Sequence, residues 1–175
     1  MHGDVMAILE YDYLDTPIGR LLLAADEQGL RCIEFEDERQ GRRIGPAWYR
    51  GRARLGDTIA QLQAYFAGDR HAFELELAAE GTAFRHRVWD ELVRIPYGET
   101  ISYGELARRV GDPSASRAVG AANGANPLPI VVPCHRVIGA NGKLTGFGGG
   151  LPTKQWLIEH ERRHAPRPTL RLTSL

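Results

Sequence analysis

The stretch IVVPCHRVI, residues 130–138, places a thiol and an imidazole directly after a short apolar run. Because the run ends at Pro133, we expect Cys134 and His135 to lie at the end of a buried strand. Cysteine is a nucleophile only as its thiolate, which a neighbouring base or positive charge favours. A Cys-His neighbour pair alone is weak support for catalysis, since free cysteine is commonly a small buried hydrophobic residue.

The residues on either side of this stretch constrain the backbone around Cys134. Pro127 and Pro129 precede it and fix backbone angles, whereas residues 142–150 are rich in glycine, which permits sharp turns. A backbone constrained in this way around one thiol favours a nucleophilic role for Cys134 over simple burial.

The composition is that of an ordinary globular protein. The chain has 175 residues, 43% of them hydrophobic, which is enough for one compact unit or two small lobes. No apolar stretch approaches bilayer length and the N-terminus lacks a signal-peptide pattern, so we expect a soluble, cytoplasmic protein with no membrane partner. We expect Cys32 and Cys134 to be free thiols, as is usual in a reducing compartment.

The charge is polarised along the chain although its net value is zero. Residues 1–81 contain 9 Lys and Arg against 15 Asp and Glu, a balance of −6, and residues 82–175 contain 13 against 7, a balance of +6. A basic C-terminal part is typical of a protein that presents one face to phosphates.

The N-terminal residues 1–81 predict a lobe of strands with one helix. Short apolar runs at residues 7–11, 20–24 and 30–35 are separated by turn signals and predict a small antiparallel sheet. The next residues, from Glu36 to Gly56, are rich in arginine and glycine and predict a solvated loop, which includes Arg39 and Arg54. We expect Asp57 to cap a helix that ends at Gly68, and residues 73–77 alternate as a strand.

The sequence predicts a helical lobe over residues 82–163 and a tail over residues 164–175. Thr82 is expected to cap the first helix. The last helix is expected to begin at Pro152 and to reach Glu161.

Between these helices the sequence predicts a helix-turn-helix. Ser102 and Glu105 form a capping box for a short helix that ends at Gly111, and a second helix is expected over residues 113–123. That second helix carries only small residues beside Arg117, whereas major-groove helices usually carry several long polar side chains. A smooth helix with one arginine suits the minor groove. A buried helix would also explain the small residues, but not the arginine in its middle.

The sequence around Cys134 contains the motif Pro-Cys-His-Arg-Val at residues 133–137, preceded by Ser-Arg-Ala-Val-Gly at 116–120 and by Asn126. This pattern resembles the active-site signature of the O6-alkylguanine-DNA alkyltransferases. These are also called methylated-DNA–protein-cysteine methyltransferases, and the resemblance covers about residues 82–161. It implies an α/β (α+β) fold, in which a ribonuclease H-like N-terminal lobe precedes a helical lobe with a helix-turn-helix and the active-site cysteine.

The resemblance also implies roles for individual residues. Cys134 would be the nucleophile and alkyl acceptor, His135 a base that acts through a water, and Glu161 the group that orients His135. Tyr103 would donate a hydrogen bond or proton and help to rotate the nucleotide, while Asn126 would hold the turn before the cysteine. Arg117 would insert into the base stack, and its neighbours would also contact DNA: Ser114, Ala115, Ser116, Ala118 and Gly120. The substrate pocket would be lined by Asn123, Val137, Phe147 and Gly148.

The implied function is DNA repair by direct reversal of damage. The alkyl group of O6-alkylguanine, and also of O4-alkylthymine, would pass irreversibly to Cys134 after the nucleotide is rotated out of the duplex. Each molecule would act once, on double-stranded DNA entered from the minor groove with little sequence specificity, as a monomer with possible clustering on DNA. The resemblance implies no cofactor, and no metal is expected, because His160 and His164 have metal-pair spacing without a further ligand.

Two other functions are compatible with parts of the pattern. A cysteine hydrolase would use Cys134 and His135 on esters or amides, although neighbouring side chains on an extended strand point in opposite directions. A helix-turn-helix protein that recognises alkylated DNA without repairing it is the second alternative, and relatives of that kind lack the cysteine that is present here.

Overall fold

The computed structural model describes residues 8–36 and 44–167. A four-stranded sheet comes first. Its antiparallel strands are β1 (Glu10–Thr16), β2 (Gly19–Asp26) and β3 (Gly29–Phe35), and β4 (Tyr49–Arg50) pairs in parallel with β1, so the strand order is β3-β2-β1-β4. The antiparallel meander is confirmed, but its first strand begins at Glu10, later than expected, and part of the expected segment lies outside the described residues.

The prediction of a solvated loop from Glu36 to Gly56 is partly wrong, because two buried carboxylates of β1 fix β4 and the residues after it. Asp12 forms ion pairs with Arg50, at 3.0 Å, and with Arg52. The Glu10 carboxylate accepts hydrogen bonds from the backbone N–H groups of Ala53 and Arg54. Arg39 of the expected loop lies outside the described residues.

Helix α1 (Gly56–Phe66) follows, and two details of the sequence prediction are wrong here. Asp57 lies in the first turn and does not cap the helix, because Leu55 occupies the cap position without a side-chain bond. Residues 73–77 form no strand beyond one bridge of Leu77 to Leu30, since few of their backbone groups reach a neighbouring strand.

The C-terminal part consists of four helices: α2 (Ala83–Val93), α3 (Tyr103–Val110), α4 (Ser116–Gly124) and α5 (Leu151–His164). The caps are confirmed: Thr82 accepts from the Arg85 N–H, and Ser102 accepts from the Glu105 N–H. A two-stranded pair of β5 (Ile101–Ser102) and β6 (Val137–Ile138) lies beside α3.

Helices α3 and α4 form the expected helix-turn-helix. Gly111 ends α3 in the left-handed region, at φ +97°, which favours glycine. The second helix begins at Ser116, three residues later than expected, because the Asp112 carboxylate accepts from both the backbone and the hydroxyl of Ser114 and forms a separate turn.

The prediction of a buried strand before Cys134 is wrong. Residues 130–132 lie between Pro129 and Pro133 and instead form an irregular turn, in which the Val132 N–H donates to the Leu128 carbonyl at 2.8 Å and one isolated bridge joins Pro129 and Val132. Within it Ile130 has φ +75°, a strained conformation for a β-branched residue. A 3₁₀ turn over Cys134–Arg136 follows directly.

One hydrophobic core joins the two parts of the chain, so both contribute to the position of the cysteine. Leu21 and Leu23 of the sheet, Leu62 of α1, Leu106 of α3 and Leu157 of α5 all belong to it. Among the helices within residues 8–36 and 44–167, none has the length and apolar character of a membrane span.

Candidate active site

Cys134 is the first residue of the 3₁₀ turn and is 6% exposed. It lines a cavity of about 260 Å³ at the boundary between the N-terminal sheet and the helical part. The walls come from residues 33–35 of β3, from the end of α4 and the turn that follows it, and from residues 146–148. Asn123, Phe147 and Gly148, expected in the substrate pocket, line this cavity together with Asn126, which is expected to hold the turn before Cys134.

Burial favours the protonated form of the Cys134 thiol. Burial raises the pKa of the thiol above its ordinary value, and this effect outweighs the opposing hydrogen bond from Asn126 and the positive charge of Lys154. A base must therefore remove the proton before the sulfur can attack.

His135 is fully buried, and its two ring nitrogens have different surroundings. Nε2 lies 2.6 Å from Oε1 of Glu161, whereas Nδ1 has no hydrogen-bond partner among the described residues. Burial lowers the pKa of His135, although Glu161 opposes this shift, so the imidazole is neutral near pH 7. Because an ionised carboxylate can only accept, the proton is on Nε2, and Nδ1 carries a free lone pair.

Glu161 on α5 accepts five hydrogen bonds. The donors are the Tyr65 hydroxyl, the Gly98 N–H, His135 Nε2, and Nε and Nη2 of Arg136. Burial alone would raise the pKa of Glu161, but the hydrogen bonds and charge of its partners hold it far below its usual range. The carboxylate is therefore a permanent anion that fixes the orientation of His135.

Asn126 holds the turn that precedes the cysteine. Its Nδ2 donates to the Val132 carbonyl at 2.8 Å, and its Oδ1 accepts from the Leu128 N–H at 3.0 Å. These two bonds enclose the strained Ile130. Asn123, on the buried side of α4, donates more weakly to the Cys134 carbonyl at 3.4 Å, and its Oδ1 is unpartnered within the described residues.

The residues expected to contact DNA, on α4 and in the turn before it, lie on the surface of the helix-turn-helix. Arg117 is exposed and forms no hydrogen bond or ion pair with any residue in the described ranges. Ser114, Ser116 and Ala118 are exposed, whereas Ala115 and Gly120 are half-buried. The opposite side of α4 packs inward through Val119, Ala122 and Asn123.

Val137, expected in the substrate pocket, and Tyr103, expected to contact the nucleotide, do not line the cavity. Val137 is fully buried in β6. Tyr103, at the start of α3, packs its ring against Gly120 and accepts a 3.2 Å hydrogen bond from the Thr145 hydroxyl. Either hydroxyl of such a pair can donate, and when Thr145 donates, the phenol hydrogen of Tyr103 is free for another acceptor.

Sequence reasoning missed three residues at this site. Lys154 is fully buried, and its Nζ donates to the Thr145 carbonyl at 2.8 Å beside the glycine-rich wall. Its spacing from Leu157 and Glu161 places it on the buried stripe of α5, a signal that the sequence contained. Arg136 and Tyr65 gave no comparable signal, because their contacts with Glu161 depend on the tertiary fold.

His160 and His164 do not form a metal pair. His160 Nε2 donates to the Tyr65 carbonyl, and His164 Nδ1 donates to the His160 carbonyl. No cluster of three or more metal-binding side chains occurs in residues 8–36 and 44–167.

These features define a class: a helix-turn-helix protein in which a buried thiol lines a cavity next to a neutral histidine and its carboxylate. Sequence comparison identifies the family. The family model of the 6-O-methylguanine DNA methyltransferase DNA-binding domain matches residues 83–163 of the sequence, and the family model of the ribonuclease-like domain matches residues 9–79. The chain belongs to the 6-O-methylguanine DNA methyltransferase family.

Individual relatives agree with this assignment. The methylated-DNA–protein-cysteine methyltransferase of Mycolicibacterium paratuberculosis is 51% identical over 160 residues, which cover 91% of this chain and 96% of that protein. The protein of the same name from Methanosarcina acetivorans is 48% identical and covers 86% of this chain and 97% of its own length. The crystal structure of Mycobacterium tuberculosis OGT in complex with DNA superposes with a TM-score of 0.82 at 47% identity, over 90% of this chain and 96% of that one.

Proposed function

We propose that this protein repairs DNA by moving the alkyl group of O6-alkylguanine, and of O4-alkylthymine, to the Cys134 sulfur. The observation that carries the proposal is the pairing of a buried thiol, open to a cavity, with a neutral imidazole whose Nδ1 is unpartnered within the described residues. The relatives named methylated-DNA–protein-cysteine methyltransferases support the same reaction.

The reaction is an in-line displacement at the alkyl carbon. His135 Nδ1 accepts the thiol proton through a water, and Glu161 stabilises the imidazolium that forms. The Sγ–C bond forms as the C–O6 bond breaks, and a proton delivered to the base lets guanine leave as a neutral molecule. Tyr103 supplies a donor for the base, since its phenol hydrogen is free when Thr145 donates to its oxygen.

The lesion reaches Cys134 by rotation of the nucleotide out of the duplex, at a cost of a few kcal/mol. The exposed, small-residue side of α4 enters the minor groove, and Arg117 fills the vacated space in the base stack. The basic balance of the C-terminal part favours this contact with phosphates. All of these groups belong to one chain, so we propose that a monomer acts on each lesion and that several monomers cluster on DNA.

The product is a thioether, which water does not cleave, so each molecule reacts once. The nucleophile, the base and the donor to guanine are all side chains of this protein, so the proposed transfer uses no cofactor. A DNA substrate, and the lack of a disulfide between Cys32 and Cys134, favour the cytoplasm as the place of action.

The test is the intact mass of the protein after incubation with duplex DNA that contains one O6-methylguanine. The expected result is a gain of one methylene unit in the unmodified chain and in a Cys32→Ala control, but not in Cys134→Ala. DNA binding without any mass gain would indicate recognition only. Turnover of esters without any mass gain would indicate a hydrolase, and either outcome would overturn the proposal.

A further inference from the structure

Tyr65 connects the N-terminal part of the chain to the reactive residues. It lies near the end of α1 and is fully buried, and its hydroxyl donates to Glu161 Oε1 at 2.8 Å. Its backbone carbonyl accepts from His160 Nε2, also at 2.8 Å. Two consecutive residues of α5 therefore hold Tyr65 by its side chain and by its backbone, which fixes the distance between α1 and α5.

The hydroxyl of Tyr65 and the ring of His135 share one acceptor atom. Oε1 of Glu161 accepts from Tyr65, from His135 Nε2 at 2.6 Å and from Arg136 Nη2 at 2.9 Å. Each donor withdraws negative charge from the oxygen that His135 contacts. Burial, together with the charge of Glu161, raises the pKa of Tyr65 well above its ordinary value, so the phenol is a donor at every working pH.

We propose that Tyr65 is a positioning residue for alkyl transfer, which fixes the Glu161 carboxylate and limits the negative charge that this carboxylate presents to His135. This inference rests on the proposed function, because it assumes that His135 is the base for Cys134. It gives the N-terminal part of the chain a role in the reaction itself, in addition to its role as a wall of the cavity.

Several other ionisable groups face the His135–Glu161 pair. Arg136 comes from the 3₁₀ turn, Lys154 and His160 from α5, and Tyr97 from the segment after α2. Tyr97 is the informative neighbour. Its ring lies 6.1 Å from that of Tyr65 and its hydroxyl is also buried, but that hydroxyl has no hydrogen-bond partner within the described residues. Burial and the charge of Glu161 raise the pKa of Tyr97 to about 12, so it too stays protonated.

The experiment compares Tyr65→Phe with the matched control Tyr97→Phe. Each variant loses one buried hydroxyl near Glu161 and keeps an aromatic ring, but only Tyr65→Phe loses a hydrogen bond to the carboxylate. The readout is the pH dependence of the single-turnover rate on duplex DNA with one O6-methylguanine. The acid limb of that profile reports protonation of the base.

In Tyr65→Phe, Oε1 carries more uncompensated negative charge, which favours the imidazolium form of His135. The acid limb therefore moves to higher pH, by about half a unit to one unit, and the plateau rate falls several-fold because the carboxylate is less restrained. Tyr97→Phe keeps the acid limb of the unmodified protein. Replacement of Tyr65 by a fluorotyrosine, a more acidic donor with the same packing, moves the limb in the opposite direction.

An acid limb that is unchanged in both Tyr65→Phe and the fluorotyrosine variant would overturn the inference, even if the melting temperature falls. The ¹⁵N resonances of His135 provide a second measurement in the absence of DNA, and the same upward shift of its titration is expected in Tyr65→Phe. Failure of the unmodified protein to alkylate Cys134 would instead overturn the proposed function, so the two failures are distinguishable.

Discussion

Replacement of Glu161 by glutamine tests how the buried carboxylate supports both the fold and the reaction. The substitution keeps the size of the side chain but removes the countercharge of Arg136, whose guanidinium is buried and otherwise donates to the Ile95 carbonyl. Loss of one partner from a buried ion pair costs about 3–5 kcal/mol. For a chain of this size that corresponds to a decrease in melting temperature of roughly 6–20 °C.

The same substitution impairs His135 as the general base. An amide can donate to His135 Nε2 as well as accept from it, so the tautomer with a free Nδ1 is no longer enforced. We expect the single-turnover rate to fall by about 100-fold or more, within the usual contribution of general base catalysis.

Scanning calorimetry and single-turnover kinetics measure the two effects. Glu159→Gln is the matched control, because Glu159 is exposed on the same helix and its carboxylate accepts a hydrogen bond from Gln155. We expect the control to change neither quantity appreciably. If Glu161→Gln melts and reacts like Glu159→Gln, the five-donor carboxylate has no structural or catalytic importance and the reasoning is refuted.

Three further predictions concern DNA contact, the turn before the cysteine, and pH. Arg117→Ala is expected to slow repair of duplex DNA by at least about tenfold, while the rate with free O6-benzylguanine stays within about twofold, because only the duplex requires nucleotide rotation. Asn126→Ala is expected to lower the free energy of unfolding in urea by about 1–3 kcal/mol, since it removes both side-chain bonds around Ile130. The free energy of unfolding is expected to fall as the pH decreases below about 6.5, because burial lowers the pKa values of His135 and His160 and the unfolded chain binds these protons first. A second decrease is expected below about 4.5, where the unfolded chain protonates Glu161 before the folded protein does.

Each of these predictions has a contradicting outcome. Equal losses for Arg117→Ala on duplex DNA and on the free base would exclude insertion into the base stack. Full stability of Asn126→Ala would mean that the turn is held by other contacts, and a stability that is independent of pH between 7 and 4 would contradict the neutral, buried state of His135.

Local sequence signals predicted those features whose causes are local. The caps at Thr82 and Ser102 and the end of α3 at Gly111 are confirmed, because a cap needs only a side chain and a backbone group a few residues apart. The prediction of a strand before Cys134 is wrong because apolar character does not reveal the turn, in which the Val132 N–H donates to the Leu128 carbonyl and Ile130 takes a positive φ.

Less of the active site than of the fold could be predicted from the sequence. The motif around Cys134 indicated a reactive thiol, but the pairing of His135 with Glu161, 26 residues away, came from the family resemblance and not from any spacing. Tyr65, 96 residues from Glu161, joins the same carboxylate through the tertiary fold. Contacts of this length depend on how α1 and α5 pack, which no local pattern encodes.

The central claim is that Cys134 rests as a thiol and yields its proton to a neutral His135. The most direct test is an ultraviolet titration of thiolate absorbance in Cys32→Ser, where Cys134 is the single remaining cysteine. The account predicts that Cys134 remains protonated at pH 7 and ionises above its ordinary pKa of 9.0. A thiolate already present at neutral pH would contradict the account, because Cys134 and His135 would then rest as an ion pair and no base would be needed.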